Sequence, residues 1–509
     1  MFKSFLTVGA LALANVASAI PSPKPSSSTP PDGSYDVLIL GGGVAGVIAA
    51  QQLYNAGITN FMIVEARDEL GGRMRSTDFE GTTIELGCNW VEGTQKGNGL
   101  ANPIWTLAKK HNISRVYNDW EDLTFYDQTG HHNFSDIYEE QGNYYDAMQV
   151  AAGVRVDLHQ VDSNVRTGFR LVGAKFGNQY EKASEYYNFD WEYAQTPEQS
   201  SWLGTMMNYN FTFNADRGGF SEEDFLAIDQ RGFKYLIQAE AAEFLKPEQT
   251  MLSSTVTNII YHDNGVSVTI AGGKVLQAKY SIVTFSVGVL QTNAVTWSPA
   301  LPHWKVEAIM SMKMAAYTKI FLKFDEKFWD DTEMGLYADP NRRGYYPVWQ
   351  SLDHPGFFEG SGLYFVTVTG DESERIETMT DDAVQAEVMA VLRSMYPNKT
   401  IPEPKAFIFY RWLSDPLFKG SFSNWPASFY LEHLDNLRDP VQNVFFAGEA
   451  TSFRYYGYLQ GAYSEGESVG QKVATCVKNN GCTSLQAPKG TDVPNRNKVF
   501  PPWYAPEQA

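Results

Sequence analysis

The chain has 509 residues, of which 43% are hydrophobic and 14% aromatic, enough to bury a large core in about two domains. This composition is typical of a globular protein and excludes a disordered or fibrous one. The formal net charge of −19 argues against nucleic acid and anionic membrane surfaces as partners. It favours the approach of a cation, although acidity can also serve solubility alone.

The first 19 residues are predicted to be a secretory signal peptide. Lys3 precedes a short apolar run, and small residues ending at Ala19 supply an A-x-A-like cleavage site. A membrane anchor is the alternative, but the apolar run is too short to span a bilayer. Residues 20–34 follow as a Pro/Ser linker. We therefore expect a secreted, extracellular protein with no membrane partner.

Two further features fit an extracellular protein. Cys476 and Cys482 lie close together in the sequence and could close a small disulfide loop. The third cysteine, Cys88, is expected to be a small buried apolar side chain. Four N-x-[ST] sequons can carry N-glycans in a secreted chain: Asn112, Asn133, Asn210 and Asn398.

The globular part opens with a strand, a glycine turn, a helix and a second strand. The apolar runs from Val37 to Leu40 and from Phe61 to Val64 have the length of buried parallel strands. Val44 to Asn55 has the composition of a helix between them. This order predicts a βαβ unit with a parallel sheet.

The glycine turn carries a dinucleotide-binding fingerprint. Gly41, Gly43 and Gly46 form G-x-G-x-x-G, which lets the backbone approach a pyrophosphate at the helix N-terminus. Glu65, at the end of the second strand, can accept hydrogen bonds from a ribose and disfavours a 2′-phosphate. The context of strand, turn and helix makes this signal much stronger than the glycines alone.

The rest of the chain shows further elements in the following order. Residues 111–217 read as mostly helical and irregular, and a β pattern with turns at Asp263–Gly265 and Gly272–Gly273 begins at Ser254. The later predictions are a strand from Tyr317 to Phe324, an amphipathic helix from Asp381 to Tyr396, a strand from Asn443 to Ala450, a helix over 461–477 and a loose tail over 484–509.

Two segments distinguish FAD from NAD as the dinucleotide. "EARDELGGRMRS" resembles an element of the flavin-containing amine oxidase family, in which the arginine matching Arg73 lies near the FAD diphosphate. "VFFAGEAT" resembles the second FAD element of that family and places Glu449 near the ribityl and phosphate region. These elements imply one Rossmann-type FAD domain assembled from discontinuous segments.

The resemblance extends from about Tyr35 to Cys482 and is closest to the secreted plant polyamine oxidases. The segments "ELGCNWVEG", "AAYTKIFLKF", "GSFSNWP" and "YYGYLQGAYSEG" resemble stretches of those enzymes, and the C-terminal cysteine pair recurs, which supports the disulfide. The implied fold class is α/β, with an α+β substrate-binding domain. We expect the FAD-binding domain to comprise 35–110, 218–307 and 424–483, and the substrate-binding domain to comprise 111–217 and 308–423.

The resemblance also implies roles for individual residues. Glu92 and Glu192 match carboxylates that line the substrate tunnel, and Lys319 matches a lysine that holds a water against flavin N5. Tyr317, Phe422 and Tyr458 match aromatic residues that wall the tunnel. Trp90 and Val256 match further residues near the cofactor, Val256 at the adenine. By pattern alone Lys319 is more typical of a solvent-facing strand lysine. For Glu192, whose surroundings diverge from the family, a solvated acid is the alternative.

These matches imply a secreted FAD-dependent polyamine oxidase that uses O₂, forms H₂O₂ and needs no metal. Carboxylates would hold the distant ammonium groups of spermidine or spermine, while an aromatic wall favours a neutral amine at the reacting end. No cysteine stands between Ala447 and Tyr463, so we expect non-covalent FAD. The alternatives are an oxidase of a monoamine, an L-amino acid or an alkaloid precursor, and a flavoprotein without oxidase activity.

Overall fold

The structure is a computed structural model that describes residues 34–482. The predicted signal peptide, the linker up to residue 33 and the predicted tail over 484–509 lie outside the described residues. Among the helices of residues 34–482, none combines the length and the apolar character needed to cross a membrane. The fold mixes helices and sheets, which confirms the predicted α/β class.

An eight-stranded sheet forms the first layer of the molecule. Phe61–Val64, Tyr35–Leu40 and Val275–Val283 lie side by side in parallel, and Val444–Phe446 pairs in parallel with Val275–Val283. The side chains of Val37 to Leu40 are fully buried, as expected for a parallel strand covered on both faces. The remaining strands of this sheet are Gly265–Ile270, Val256–His262, Thr250–Met251 and Thr296–Ser298.

Two helices pack together against this sheet. Val44–Asn55 has the predicted bounds, and it contacts Leu459–Lys478, which begins two residues before the prediction. The helices approach closely because a Cβ at Gly466 would lie 2.3 Å from the carbonyl oxygen of Ala45. Cys476, near the end of the second helix, forms the expected disulfide with Cys482.

The strand predicted from Asn443 to Ala450 is shorter than expected. It spans Val444–Phe446, and a short 3₁₀ turn follows at Glu449–Thr451. The backbone leaves the sheet at Gly448, whose φ of 146° disfavours any side chain. This bend brings Glu449 to the end of the parallel strands.

A seven-stranded sheet forms the second layer, and the helix Asp381–Met395 packs on it. Segment 111–217 was expected to be mostly helical and irregular, but it contributes Leu123–Asp127, which pairs in parallel with Met334–Ala338. That pairing joins residues about 210 positions apart, so no local sequence pattern predicts it. The other strands of the sheet are Ala406–Phe409, Tyr317–Lys323, Leu363–Thr369, Val348–Ser351 and Gly130–His131.

A three-stranded sheet carries part of the candidate site. Its central strand, Asp224–Ala227, pairs in antiparallel fashion with both Trp90–Glu92 and Arg115–Tyr117. The remaining strands are Ser76–Phe79, Thr82–Glu85, Lys313–Ala315 and Phe422–Asn424. The remaining helices are Pro103–Lys110, Ser135–Asp157, Val165–Leu171, Gln179–Glu185, the π-helical Tyr186–Asp190, Trp191–Tyr193, Trp202–Phe213, Ala215–Arg217, Tyr235–Ala242, Pro247–Gln249, Val287–Leu290, His303–Ser311, Gly370–Glu377 and Leu431–Arg438.

Candidate active site

One continuous cavity of about 860 Å³ extends from the glycine turn of the first sheet to the three-stranded sheet. All but one of the residues predicted for the site line it. The predicted residues that line it are Gly41, Gly43, Glu65, Arg73, Trp90, Glu92, Glu192, Val256, Tyr317, Lys319, Phe422, Glu449 and Tyr458. The exception, Gly46, lies behind the cavity wall, where a Cβ would come within 2.0 Å of the carbonyl oxygen of Gly41. Gly46 therefore permits the helix to pack on the turn.

The glycine turn forms a cradle at one end of the cavity. Gly41 has a φ of +117°, which a side chain would strain. Glu65 accepts hydrogen bonds from the backbone N–H of Gly42 at 2.6 Å and of Arg67 at 2.8 Å, and these fix its carboxylate beside the turn. The cradle and the acid fit the pyrophosphate and the ribose of a dinucleotide.

A partly buried ion pair links the segment after the second strand to the C-terminal part of the chain. Nη1 of Arg73 donates to Oε1 of Glu449 at 2.8 Å and to the carbonyl of Ser421 at 3.0 Å. Oε2 of Glu449 accepts from the Ser423 hydroxyl at 2.5 Å and from the Gly457 N–H at 2.9 Å. The pair holds Arg73 and Glu449 at the cavity wall, with both charges compensated inside the chain.

Lys319 lies at the middle of the cavity. Its residue is only 3% exposed, so the alternative of a solvent-facing strand lysine is wrong. Nζ donates to the carbonyl of Gly87 at 2.5 Å and to Oδ1 of Asn89 at 2.8 Å. Burial lowers the pKa of Lys319 to about 7, although nearby acids, Glu85 first, oppose that shift. A lysine with this pKa can gain or lose a proton near neutral pH.

Aromatic side chains wall the cavity beyond Lys319. The rings of Tyr317 and Phe422 lie 5.8 Å apart between centroids, and Tyr458 packs edge-on against Phe213 at 6.1 Å. The hydroxyl of Tyr458 donates to the carboxylate of Glu192. Glu192 is therefore held at the cavity wall, which excludes the alternative of an acid fully in solvent.

Carboxylates gather at the far end of the cavity. Burial raises the pKa of Glu92 well above its ordinary value, and the neighbouring charges of Glu192 and Asp224 raise it further. Burial also raises the pKa of Glu192, against the hydrogen bond from Tyr458. Such clusters of perturbed acids in a cavity are typical of functional sites and suit a cationic ligand.

Three residues of this far end have no sequence signal for a role in the site: Trp120, Trp191 and Asp224. Asp224 reaches the cavity because its strand pairs with Trp90–Glu92, about 130 residues earlier in the chain. Cys88 also lines the cavity and is only partly buried by its neighbours, in contrast to the expected buried side chain, and desolvation raises the pKa of its thiol to about 12. Further acids line the cavity at Glu121, Glu139, Asp146 and Glu222.

Comparisons with known proteins show the family of the chain. The family model described as flavin containing amine oxidoreductase matches residues 44–474. Polyamine oxidase 1 of Zea mays is 35% identical over 481 residues, which cover 88% of this chain and 91% of that protein. Polyamine oxidase 6 of Oryza sativa subsp. japonica is 34% identical and covers 88% of this chain and 92% of its own.

A solved structure shares the fold. Putrescine oxidase, the wild type bound to putrescine, superposes with a TM-score of 0.70 at 15% identity and covers 87% of this chain and 99% of its own. At that identity the likeness concerns the fold alone. The resemblance predicted from the sequence motifs is thereby confirmed at the level of family and fold.

Proposed function

Because the chain belongs to the flavin containing amine oxidoreductase family and is an FAD-dependent amine oxidase, we propose that its substrates are polyamines such as spermidine and spermine. The observation that carries the proposal is a pair of half-buried carboxylates, Glu92 and Glu192, which line the same cavity as Lys319. A polyamine brings several ammonium groups, which charge-assisted hydrogen bonds to carboxylates hold in register.

The residues at the other end fit FAD. The glycine cradle, Glu65 and Arg73 would hold its dinucleotide part, Val256 would lie at the adenine, and Trp90 and Tyr458 would lie near the ring. When bound, FAD accepts a hydride from the carbon next to the amine nitrogen and passes the electrons to O₂. No cysteine stands between Ala447 and Tyr463 in the C-terminal FAD element, which supports non-covalent binding.

The chain's own residues would select and orient the amine. The carboxylates at the far end attract the distant ammonium groups, while the aromatic wall of Tyr317, Phe422 and Tyr458 disfavours a charged nitrogen at the reacting position. Lys319 uses two of its N–H groups on Gly87 and Asn89 and keeps the third for a water or a proton transfer at Nζ.

Oxidation of an internal secondary amine by O₂ would give an imine and H₂O₂, and hydrolysis of the imine by water would release an aminoaldehyde and a diamine such as 1,3-diaminopropane. The experiment is to incubate the purified holoenzyme with spermine, measure H₂O₂ and identify the products by mass spectrometry. Anaerobic spermine should bleach the flavin. Absence of bleaching would overturn the proposal, and faster turnover of a monoamine, an L-amino acid or an alkaloid precursor would replace the substrate class.

We also propose that the protein is secreted and N-glycosylated. The signal sequence and the disulfide support secretion. Asn112, Asn133 and Asn398 are exposed, whereas Asn210 is half-buried within the helix Trp202–Phe213. Peptide mass spectrometry of protein recovered from the medium of a eukaryotic host should therefore find glycan at the first three sites and none at Asn210. Retention inside the cells would contradict secretion.

A further inference from the structure

We propose that Asp224, together with the indole of Trp120 that it holds, forms a second ammonium-binding point beside Glu92 and so sets how many positive charges the enzyme prefers in its substrate. This inference rests on the proposed polyamine oxidation and makes it more specific. Asp224 has no counterpart among the site residues implied by the sequence motifs.

Strand pairing places Asp224 next to Glu92. In the antiparallel pair of Trp90–Glu92 with Asp224–Ala227, Glu92 lies directly opposite Asp224. Residues opposite one another in such a pair project to the same face, with Cβ atoms about 5 Å apart. Both side chains line the cavity, so two carboxylates face one ligand from adjacent strands.

The carboxylate of Asp224 is oriented but its charge is not neutralised. Oδ1 accepts from the backbone N–H of Gly93 at 2.9 Å, and Oδ2 accepts from Nε1 of Trp120 at 3.0 Å. Both donors are uncharged groups. Asp224 is 8% exposed, and within residues 34–482 no lysine, arginine or histidine forms an ion pair with it.

This arrangement is unfavourable for the chain without a cation. Like charges directly opposite on neighbouring strands destabilise a sheet, and burial of an unpaired carboxylate costs further free energy. Glu192 adds a third acid whose charge raises the pKa of both neighbours. Uncompensated charges in a cavity oppose folding, and sequences retain them mainly at functional sites. An ammonium between Asp224 and Glu92 relieves the repulsion.

Three tryptophans complete the ammonium-binding point. The rings of Trp120 and Trp191 meet at 82° with centroids 5.1 Å apart, and Trp90 meets Trp191 at 82° and 6.2 Å. Trp90 and Trp120 are tilted by 58° at 5.9 Å. Indole rings that meet at steep angles form a corner of aromatic surface, which attracts a cation and packs against methylene groups. Asp224 fixes the Trp120 wall of this corner.

The test compares amines that differ by one charge. Wild-type holoenzyme and Asp224→Asn are assayed at pH 8 with spermidine and with two analogues, each of which has a methyl group in place of one terminal amino group. We expect Asp224→Asn to raise the KM for spermidine by about 10-fold, from loss of one charge-assisted hydrogen bond, with kcat nearly unchanged. The analogue that lacks the ammonium held by Asp224 should show no such rise.

Two controls separate charge recognition from a structural effect. Asp216→Asn removes the same charge from a side chain that is 86% exposed and should behave like the wild type. Trp120→Phe keeps a ring but removes the N–H that orients Asp224, so it should raise the KM for spermidine more weakly. Trp120→Phe also carries the test if Asp224→Asn does not fold.

The KM values and the H₂O₂ assay distinguish a failure of the role of Asp224 from a failure of the proposed function. An equal KM rise for spermidine and both analogues, or no rise for any amine, would overturn the role of Asp224. If the wild type produces no H₂O₂ from spermidine or spermine, the proposed function itself fails. Turnover by the wild type with an indifferent Asp224→Asn leaves the proposed function in place and removes only this inference.

Discussion

The two ends of the cavity differ in how their charged side chains are compensated. At the nucleotide end, Glu65 accepts two backbone N–H groups, and Arg73 and Glu449 pair with each other. At the substrate end, Glu92 and Asp224 stand opposite one another without an ion pair among the described residues. The first end is compensated within the chain, whereas the second leaves its charges for a cationic ligand.

This difference predicts that FAD retention and substrate affinity can be separated by mutation. In the proposed function the nucleotide end would bind FAD through backbone groups and glycine turns, and its ion pair would mainly hold segments together. The substrate end would bind the amine through side-chain charge. Variants at one end should therefore leave the property of the other end unchanged.

The largest effect is expected for Lys319→Met, at the junction of the two ends. Loss of a positioned proton donor and acceptor should lower turnover about 100-fold or more, with FAD content unchanged. Oxygen consumption with spermine measures the loss, and absorbance of released flavin measures the content. Lys323→Met is the matched control, because that lysine lies on the same strand outside the cavity. Equal turnover in both variants would remove the role of Lys319.

The next effect tests the nucleotide end through Glu449→Ala. Removing Glu449 leaves the charge of the partly buried Arg73 uncompensated, at a cost of about 2 kcal/mol after a discount for solvent screening. We expect the purified variant to lose most of its FAD, measured as the ratio of flavin to protein absorbance after gel filtration. A normal ratio, with only the KM for spermine altered, would contradict the separation of the two ends.

Glu92→Gln tests the substrate end. Because the amide keeps the shape but loses the charge, the KM for spermine should rise about 10-fold. The ratio of flavin to protein should equal that of the wild type. Steady-state kinetics with spermine checks the first expectation, and unchanged kinetics would make Glu92 a purely structural acid.

The smallest effect concerns stability and pH at Asp224. Burial raises its pKa from 3.8 to about 7, so between these values the folded protein keeps a proton that the unfolded chain has lost. The share of stability contributed by Asp224 therefore falls as pH rises through this window. Asp224→Asn has no carboxylate to titrate and therefore does not lose this stability. We expect the difference in free energy of unfolding between the variant and the wild type to grow by about 2 kcal/mol, in favour of the variant, from pH 5 to pH 8.

Thermal unfolding of the substrate-free holoenzyme at pH 5 and pH 8 measures this effect. The difference in Tm between Asp224→Asn and the wild type should be larger at pH 8, in favour of the variant. A difference that does not change with pH would show that the Asp224 carboxylate is compensated in the folded protein, contrary to the contrast between the two ends.

The nucleotide end could be predicted from the sequence because its signals are local. The helix Val44–Asn55 and the strand Phe61–Val64 have the predicted bounds. Gly41, with its positive φ, and Gly46, which packs on the Gly41 carbonyl, stand within six residues of one another. Short-range chemistry, namely apolar runs, glycine turns and an acid at a strand end, determines this region. The motifs around Arg73 and Glu449 predicted FAD, although they lie 376 positions apart.

The tertiary structure alone decided the substrate end. Lys319 is typical of an exposed strand residue by pattern, and it is buried because its strand lies inside the second sheet, under Gly87 and Asn89. Asp224 meets Glu92 only because two short strands pair across about 130 residues. No local propensity encodes such contacts, since the partners of each strand are chosen by the packing of the whole fold.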